Sequence, residues 1–243
     1  MRNFTAMEFR ILFQDEFFVA IEKPAGILVH RTGISADRIF VLQELRNQLG
    51  RHVYPVHRLD RGTAGVLLFA FDSAGAKALQ ATLESEQTTK TYLAILRGWI
   101  PDSGLIDTPL EKDGTGELQT AHTSYRRLAT SELPMPVDRY PTARYSLAAI
   151  KLHTGRMHQI RRHFAHVRHP VLSDFKRGDR HHNHAWEQHY GITTMQLFAW
   201  RMDLEHPITG EKMRFEAAPP ESMLRAFEIL GFHFEDFAQF CWQ

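Results

Sequence analysis

Residues 66–71 read Val-Leu-Leu-Phe-Ala-Phe, an unbroken apolar run of strand length. A half-solvated strand alternates apolar and polar residues, so a continuous run predicts a strand covered on both faces. Such a strand needs a layered fold around it. Directly before it stands a polar segment, His57-Arg58-Leu59-Asp60-Arg61-Gly62-Thr63-Ala64-Gly65. Gly62 and Gly65 permit a tight turn and the close approach of another backbone.

Other strand-like segments come as neighbours. Glu8–Phe13 and Phe17–Glu22 flank the polar turn Gln14-Asp15-Glu16, and Lys23-Pro24-Ala25-Gly26 ends the second. Thr89–Arg97, Thr120–Leu128 and Arg144–Leu152 alternate, Asp113 to Gly116 reads as a turn, and Met195–Leu204 with Lys212–Glu216 brackets a hairpin turn at Pro207–Gly210. Helical stripes are Ile39, Leu42, Leu45 and Leu49, with Ser35 as cap and Gly50 as stop, and Ala76, Leu79 and Leu83 behind a Ser73 cap. Arg156–Val167 reads as a third helix, and Pro220 opens a last one. Paired strands, not strict strand–helix alternation, predict an α+β fold: a mixed, largely antiparallel central sheet flanked by helices and loops. No Gly-x-Gly-x-x-Gly follows a strand, which argues against a dinucleotide-binding fold.

With 243 residues, 43% of them hydrophobic, the chain suits one large domain or two closely packed lobes. The single cysteine, Cys241, excludes an internal disulfide, and no apolar run approaches the ~20 residues of a membrane helix. Residues 1–10 lack the apolar stretch of a signal peptide. The expectation is a cytoplasmic protein, without a membrane or an obligate protein partner. The net charge is only +1, but between Arg144 and His182 nine Lys/Arg face two Asp, a local +7 with histidines neutral. From Asp203 to Gln243 eight carboxylates face three basic residues. The basic stretch is either a footprint for polyanions or a solvated face paired with the acidic segment.

Three places could carry chemistry. Asp60, among basic neighbours ahead of a buried strand, is a candidate nucleophile or base; the plain alternative is a structural Arg–Asp pair in a strand-to-turn corner. In Leu152-His153-Thr154-Gly155-Arg156-Met157-His158-Gln159-Ile160-Arg161-Arg162-His163, helical spacing puts Met157, Ile160, Phe164 and Val167 on one face. It presents His158, Arg161 and Arg162 together on another, with backbone N–H groups after Gly155 suited to a phosphate. The alternative is an ordinary amphipathic helix with a basic face. In Lys90-Thr91-Tyr92, period two sets Lys90 and Tyr92 on one face, where the ring could stack on a base or simply be a half-buried strand tyrosine. The histidines at 181, 182, 184 and 189 come without cysteines or matched helical pairs, so they read as polar surface and not as a metal site.

Taken in order, Lys23-Pro24-Ala25-Gly26-Ile27-Leu28-Val29-His30, His57-Arg58-Leu59-Asp60 with Thr63 and Gly65, Lys90-Thr91-Tyr92, and Gly155-Arg156-x-His158-Gln159-Ile160-Arg161 resemble the motifs of the RluA-type pseudouridine synthases. The resemblance covers nearly the whole chain. It implies a single catalytic domain over 1–243, without a separate N-terminal RNA-binding domain and with an active-site cleft across the sheet. It implies isomerisation of uridine to pseudouridine in RNA without cofactor or metal. Asp60 matches the catalytic aspartate, Tyr92 the tyrosine stacked on the target base, and Arg161 the arginine paired with the aspartate. Arg58 matches the arginine that fills the space of the flipped uridine; Lys90, Arg156, His158 and Arg162 are the further RNA contacts. His166-Val167-Arg168-His169-Pro170, Lys176-Arg177-Gly178-Asp179, Arg139-Tyr140-Pro141-Thr142 and Arg144-Tyr145 point to the members acting on transfer RNA at uridine 65. Ribosomal RNA as substrate, a non-catalytic RNA-binding protein and an RNA N-glycosidase are the alternatives. Two departures from the pattern are Ala64, for a usual serine, and Ser173, for a usual glycine before Asp174.

Overall fold

In the computed structural model, which describes residues 7–31, 39–112 and 114–242, the apolar run becomes β4 (Ala64–Ala70), and all seven of its residues are buried. The chain divides into two compact units, Met1–Lys90 with Ala199–Ala218 and Thr91–Phe198 with Pro219–Gln243.

In the first unit β4 pairs antiparallel with β2 (Phe18–Lys23), Lys23 standing opposite Gly65. β2 pairs in turn with β1 (Arg10–Gln14), and the two-residue β3 (Tyr54–Pro55) pairs with the far end of β4. On its other side β4 neighbours β11 (Leu197–Glu205), which forms a hairpin with β12 (Lys212–Glu216). Gly65 has φ +122°, and a Cβ there would lie 2.0 Å from the carbonyl oxygen of Ala199. No side chain fits, so the close backbone approach expected of Gly65 is real. Helix α1 (Val41–Leu49) buries Val41 and Leu45 and stops at Gly50, φ +63°. The Ser35 cap lies outside the described residues. Helix α2 (Ser73–Glu84) buries Leu79 and Leu83. Its cap is Asp72 and not Ser73: the Asp72 backbone is still extended, and its side chain accepts from the Gly75 N–H. Such a cap stabilises a helix by about 1 kcal/mol.

In the second unit β5 (Thr89–Arg97), β10 (Ala143–Leu152), β9 (Thr123–Leu133) and β6 (Ser103–Ile106) run antiparallel in that order. β9 extends five residues past the expected Leu128, because its outer half is half-solvated and polar residues suit it. A small hairpin, β7 (Leu110–Glu111) with β8 (Leu118–Gln119), spans the expected turn. Helices α3 (Gln159–His166), α4 (Arg180–Tyr190) and α5 (Glu221–Leu230) complete the unit, with a short 3-10 turn at Phe234–Asp236. Tyr145, Phe164 and Trp186 are fully buried, and Trp186 meets Tyr145 edge-on at 5.3 Å. Both units set antiparallel strands beside helices, the α+β architecture that neighbouring strands predicted. No helix among the described residues is long and apolar enough to cross a membrane.

The histidine-rich segment departs from its reading as plain polar surface. It is helix α4, capped by Asp179, which accepts from the N–H groups of His181 and His182, and stopped by Gly191 at φ +65°. Asn183, Ala185 and Trp186 face inward. His182 is half-buried, with Nδ1 2.8 Å from the Tyr145 hydroxyl, and burial lowers its pKa. His181, His184 and His189 are exposed, and no group of three or more His, Cys, Asp or Glu among the described residues is placed to hold a metal ion.

Candidate active site

The Asp60 turn belongs to the first unit and hangs on a lysine. Lys23, at the end of β2, is fully buried, and four carbonyl oxygens lie within hydrogen-bond distance of its three N–H donors: Thr63 at 2.8 Å, Pro24 at 2.9 Å, Asp60 at 3.2 Å and Arg61 at 3.4 Å. Burial lowers its pKa to about 7, and the Asp60 carboxylate opposes that shift. Four carbonyl dipoles converging on one nitrogen favour the ammonium form, so this group works as a charged clamp. A second clasp is reciprocal: Gly26 N–H donates to the Arg61 carbonyl at 2.7 Å, and Arg61 Nε donates to the Gly26 carbonyl at 3.0 Å. Gly26 has φ +90°, which glycine alone adopts cheaply. The turn closes on itself through Thr63 N–H to the Asp60 carbonyl. Asp60 is thereby held half-buried on a backbone fixed from two sides, and Arg58 beside it is exposed. Behind it, His57 accepts the Leu68 N–H at Nε2. Burial, with Lys90 adding to it, lowers the His57 pKa to about 3, so the ring is a neutral acceptor that ties the turn to β4.

The second motif lies in the other unit, and here two expectations fail. The helix begins at Gln159 and not Arg156, because the Gln159 side chain takes the place of a first turn. Its Oε1 accepts from the Arg156 N–H and the Thr154 hydroxyl, and its Nε2 donates to the His122 carbonyl and Thr123 Oγ1. The N–H of Arg156, expected to await a phosphate, is therefore occupied. His158 precedes the helix at φ +54°, a strained value for a non-glycine residue. Nor are Arg161 and Arg162 presented together. Arg162 donates to the Glu111 carbonyl and Arg156 to the Thr120 carbonyl, both pinning the β7–β8 hairpin. Arg161 turns inward. Its Nε and Nη2 meet the two oxygens of Asp174 at 2.7 and 2.8 Å, a fork-to-fork ion pair whose side chains are 8% and 2% exposed. Burial pushes the Asp174 carboxyl up, but Arg161 and the N–H groups of Lys176 and Arg177 outweigh that and hold it below its ordinary value. The Asp174 carbonyl accepts from Gly178 N–H and Asn183 Nδ2. Ser173 has φ +58°, the left-handed region, which explains why a glycine suits that position.

Lys90 and Tyr92 sit on β5 as expected, but Lys90 is drawn back: its Nζ donates to the Leu83 carbonyl at 2.7 Å. Burial lowers its pKa, with Glu84 opposing. Tyr92 is 9% exposed. Its neighbour Thr91 accepts from Trp242 Nε1 at 2.9 Å, so the aromatic C-terminal segment is tied to this strand.

Residues 17–166 match the family model described as RNA pseudouridylate synthase. The chain belongs to the RNA pseudouridylate synthase family. Bacterial proteins named tRNA pseudouridine synthase C are similar to it over most of its length. The Pectobacterium carotovorum subsp. carotovorum protein is 43% identical over 235 residues, 91% of this chain and 62% of that protein. The Pasteurella multocida protein is 43% identical over 235 residues, 92% of this chain and 96% of that one. Among solved structures, Human RNA Pseudouridylate Synthase Domain Containing 4 shares the fold, with a TM-score of 0.71 at 24% identity over 91% of this chain and 93% of that one. The matched range includes Lys23, Asp60, Tyr92 and Arg161. In the sequence Lys23 stands out only as a strand end and Asp174 only as the neighbour of an odd serine. Both carried a signal: a lysine within an apolar strand, and an acid inside a strongly basic stretch, each need a partner when buried. Gln159 carried none, since an amide's role depends on what folds around it.

Proposed function

We propose that this chain converts a uridine of transfer RNA, at position 65, to pseudouridine, with Asp60 as the catalytic carboxylate. The observation that carries the proposal is the Asp60 turn itself: a half-buried carboxylate on a backbone immobilised by Lys23 and the Gly26–Arg61 clasp, inside a family whose members are pseudouridine synthases. The names of the bacterial relatives support transfer RNA as the substrate.

The reaction breaks the N1–C1′ bond, turns the uracil and joins C5 to C1′, with the C5 proton leaving and N1 gaining one. No atoms or electrons are gained overall. The base must first leave its stack, at a cost of a few kcal/mol. Arg58, exposed beside the turn, fills the vacated space, and Tyr92 stacks on the extruded ring. Asp60 then acts at the ribose, as nucleophile at C1′ or as the base that takes a sugar proton. Arg161, with its guanidinium plane fixed by Asp174, is the further catalytic residue. His158 contacts the RNA, whereas Lys90, Arg156 and Arg162, expected as further contacts, hold carbonyls of the chain itself and shape the surface the RNA meets.

The test is Asp60→Asn, incubated with unmodified transfer RNA and followed by site-resolved detection of pseudouridine and by RNA binding. Loss of product with binding within threefold of the parent is the expected result. Product formed at the parent's rate removes Asp60 from catalysis. Product appearing in ribosomal RNA instead of transfer RNA overturns the substrate.

A further inference from the structure

Within the second unit, α4 and the loop joining β9 to β10 enclose an open groove of about 580 Å3. Phe175 lines it and is 63% exposed. An exposed phenylalanine usually belongs to a loose loop, but this one does not. Its neighbour Asp174 is gripped by Arg161, and the Asp174 carbonyl is held by Gly178 and Asn183. The loop is so tight that a Cβ on Gly178 would lie 2.3 Å from that carbonyl oxygen. The ring is therefore presented on a rigid support. Lys176 and Arg177 follow it, with their N–H groups turned in to Asp174 Oδ1 and their side chains exposed. Arg180 lines the groove from the first turn of α4, with His181 and His184 along the same helix. The loop that supplies Pro136, Val137 and Asp138 to the groove continues into the exposed Tyr140, with the Arg139 guanidinium over its ring at 5.2 Å.

The groove's own acids are Asp138 and Glu187. Asp179, at the helix start, is already engaged by Arg97 and by two N–H groups of α4. Exposed cations at Lys176, Arg177 and Arg180 thus flank the exposed Phe175 ring, against the groove's two acids, Asp138 and Glu187. Planar rings set among cations fit unstacked nucleotides with their phosphates. An acidic peptide would use the cations but not the ring faces. We propose that this groove is a second RNA-contact surface, which takes a nucleotide of the substrate on Phe175 and backbone phosphates on Arg177 and Arg180. It rests on the reading that the chain acts on RNA, and it gives a role to residues other than Asp60, Arg58, Tyr92 and Arg161, which act on the uridine itself.

Equilibrium binding of full-length unmodified transfer RNA across a salt series tests it. The double variant Arg177→Ala/Arg180→Ala loses about 1.5 from the slope of log affinity against log salt, and its KM for transfer RNA rises about tenfold. Phe175→Ala weakens binding about fivefold with the slope unchanged. Glu187→Lys, on the exposed face of α4, tightens binding at low salt, and it decides the matter if the double variant does not fold. Affinity and slope within twofold of the parent in the folded variants overturn the proposal and leave the groove to a protein partner. Because binding is read by itself, a chain that holds RNA through this groove yet makes no pseudouridine refutes the catalytic reading alone.

Discussion

At Asp174 both carboxylate oxygens are committed to one guanidinium, and the pair is nearly dry. Removing one member of such a pair leaves an uncompensated charge, so Asp174→Asn costs about 3 kcal/mol or more, read by urea unfolding at neutral pH. The same variant lowers turnover more than RNA affinity, since the Arg161 plane loses its guide. The pH dependence has a fixed sign. Asp174 titrates below its ordinary value of 3.8 in the folded chain, so as pH falls the unfolded chain takes up this proton first. The stabilisation is full above about pH 5 and is lost as pH drops through about 4 and below. The unfolding free energy, followed from about pH 6 down to about pH 3, should fall less steeply in Asp174→Asn than in the parent. At this scale the sequence offered candidate residues but not their partners. Asp60 and Arg161 stood out by motif, whereas the four carbonyls on Lys23 come from residues 24 and 60–63, which only folding brings around one nitrogen.

Among the elements, the strongly periodic ones were legible. β5 and β12 begin and end where alternation said they would, and β4 announced itself by having no polar face. The two-residue strands β3, β7 and β8 are too short for any period to show. Helix α4 was hidden because its eleven residues include four histidines and one buried tryptophan, which mask its inward face. The first turn of α3 was misread because a glutamine amide does there what backbone does elsewhere. The loop before α4 makes a testable case. Ser173 holds a left-handed backbone with only a 3.5 Å contact from its hydroxyl to the Ile192 carbonyl in return. Ser173→Gly should therefore raise stability by about 1 kcal/mol, seen as a later denaturant midpoint at unchanged slope.

Over the whole molecule, net charge says little and its arrangement says much. A +1 chain would be a poor polyanion binder if its charges were mixed evenly, but residues 144–182 carry +7. Transfer RNA affinity should fall tenfold or more between about 50 and 200 mM salt. A flat response would mean that this stretch is neutralised by the chain's own acids. Fold class was readable from strand order alone, while composition allowed one domain or two lobes without marking a boundary, since chain segments 199–218 and 219–243 return to different units with no compositional break. The β7–β8 hairpin joins its surroundings in an unusual way. The carbonyls of Thr108, Glu111 and Thr120 hang on His163, Arg162 and Arg156, around the start of α3. The exposed Leu118 therefore rides on a hairpin moored to the start of α3, the helix that also carries Arg161.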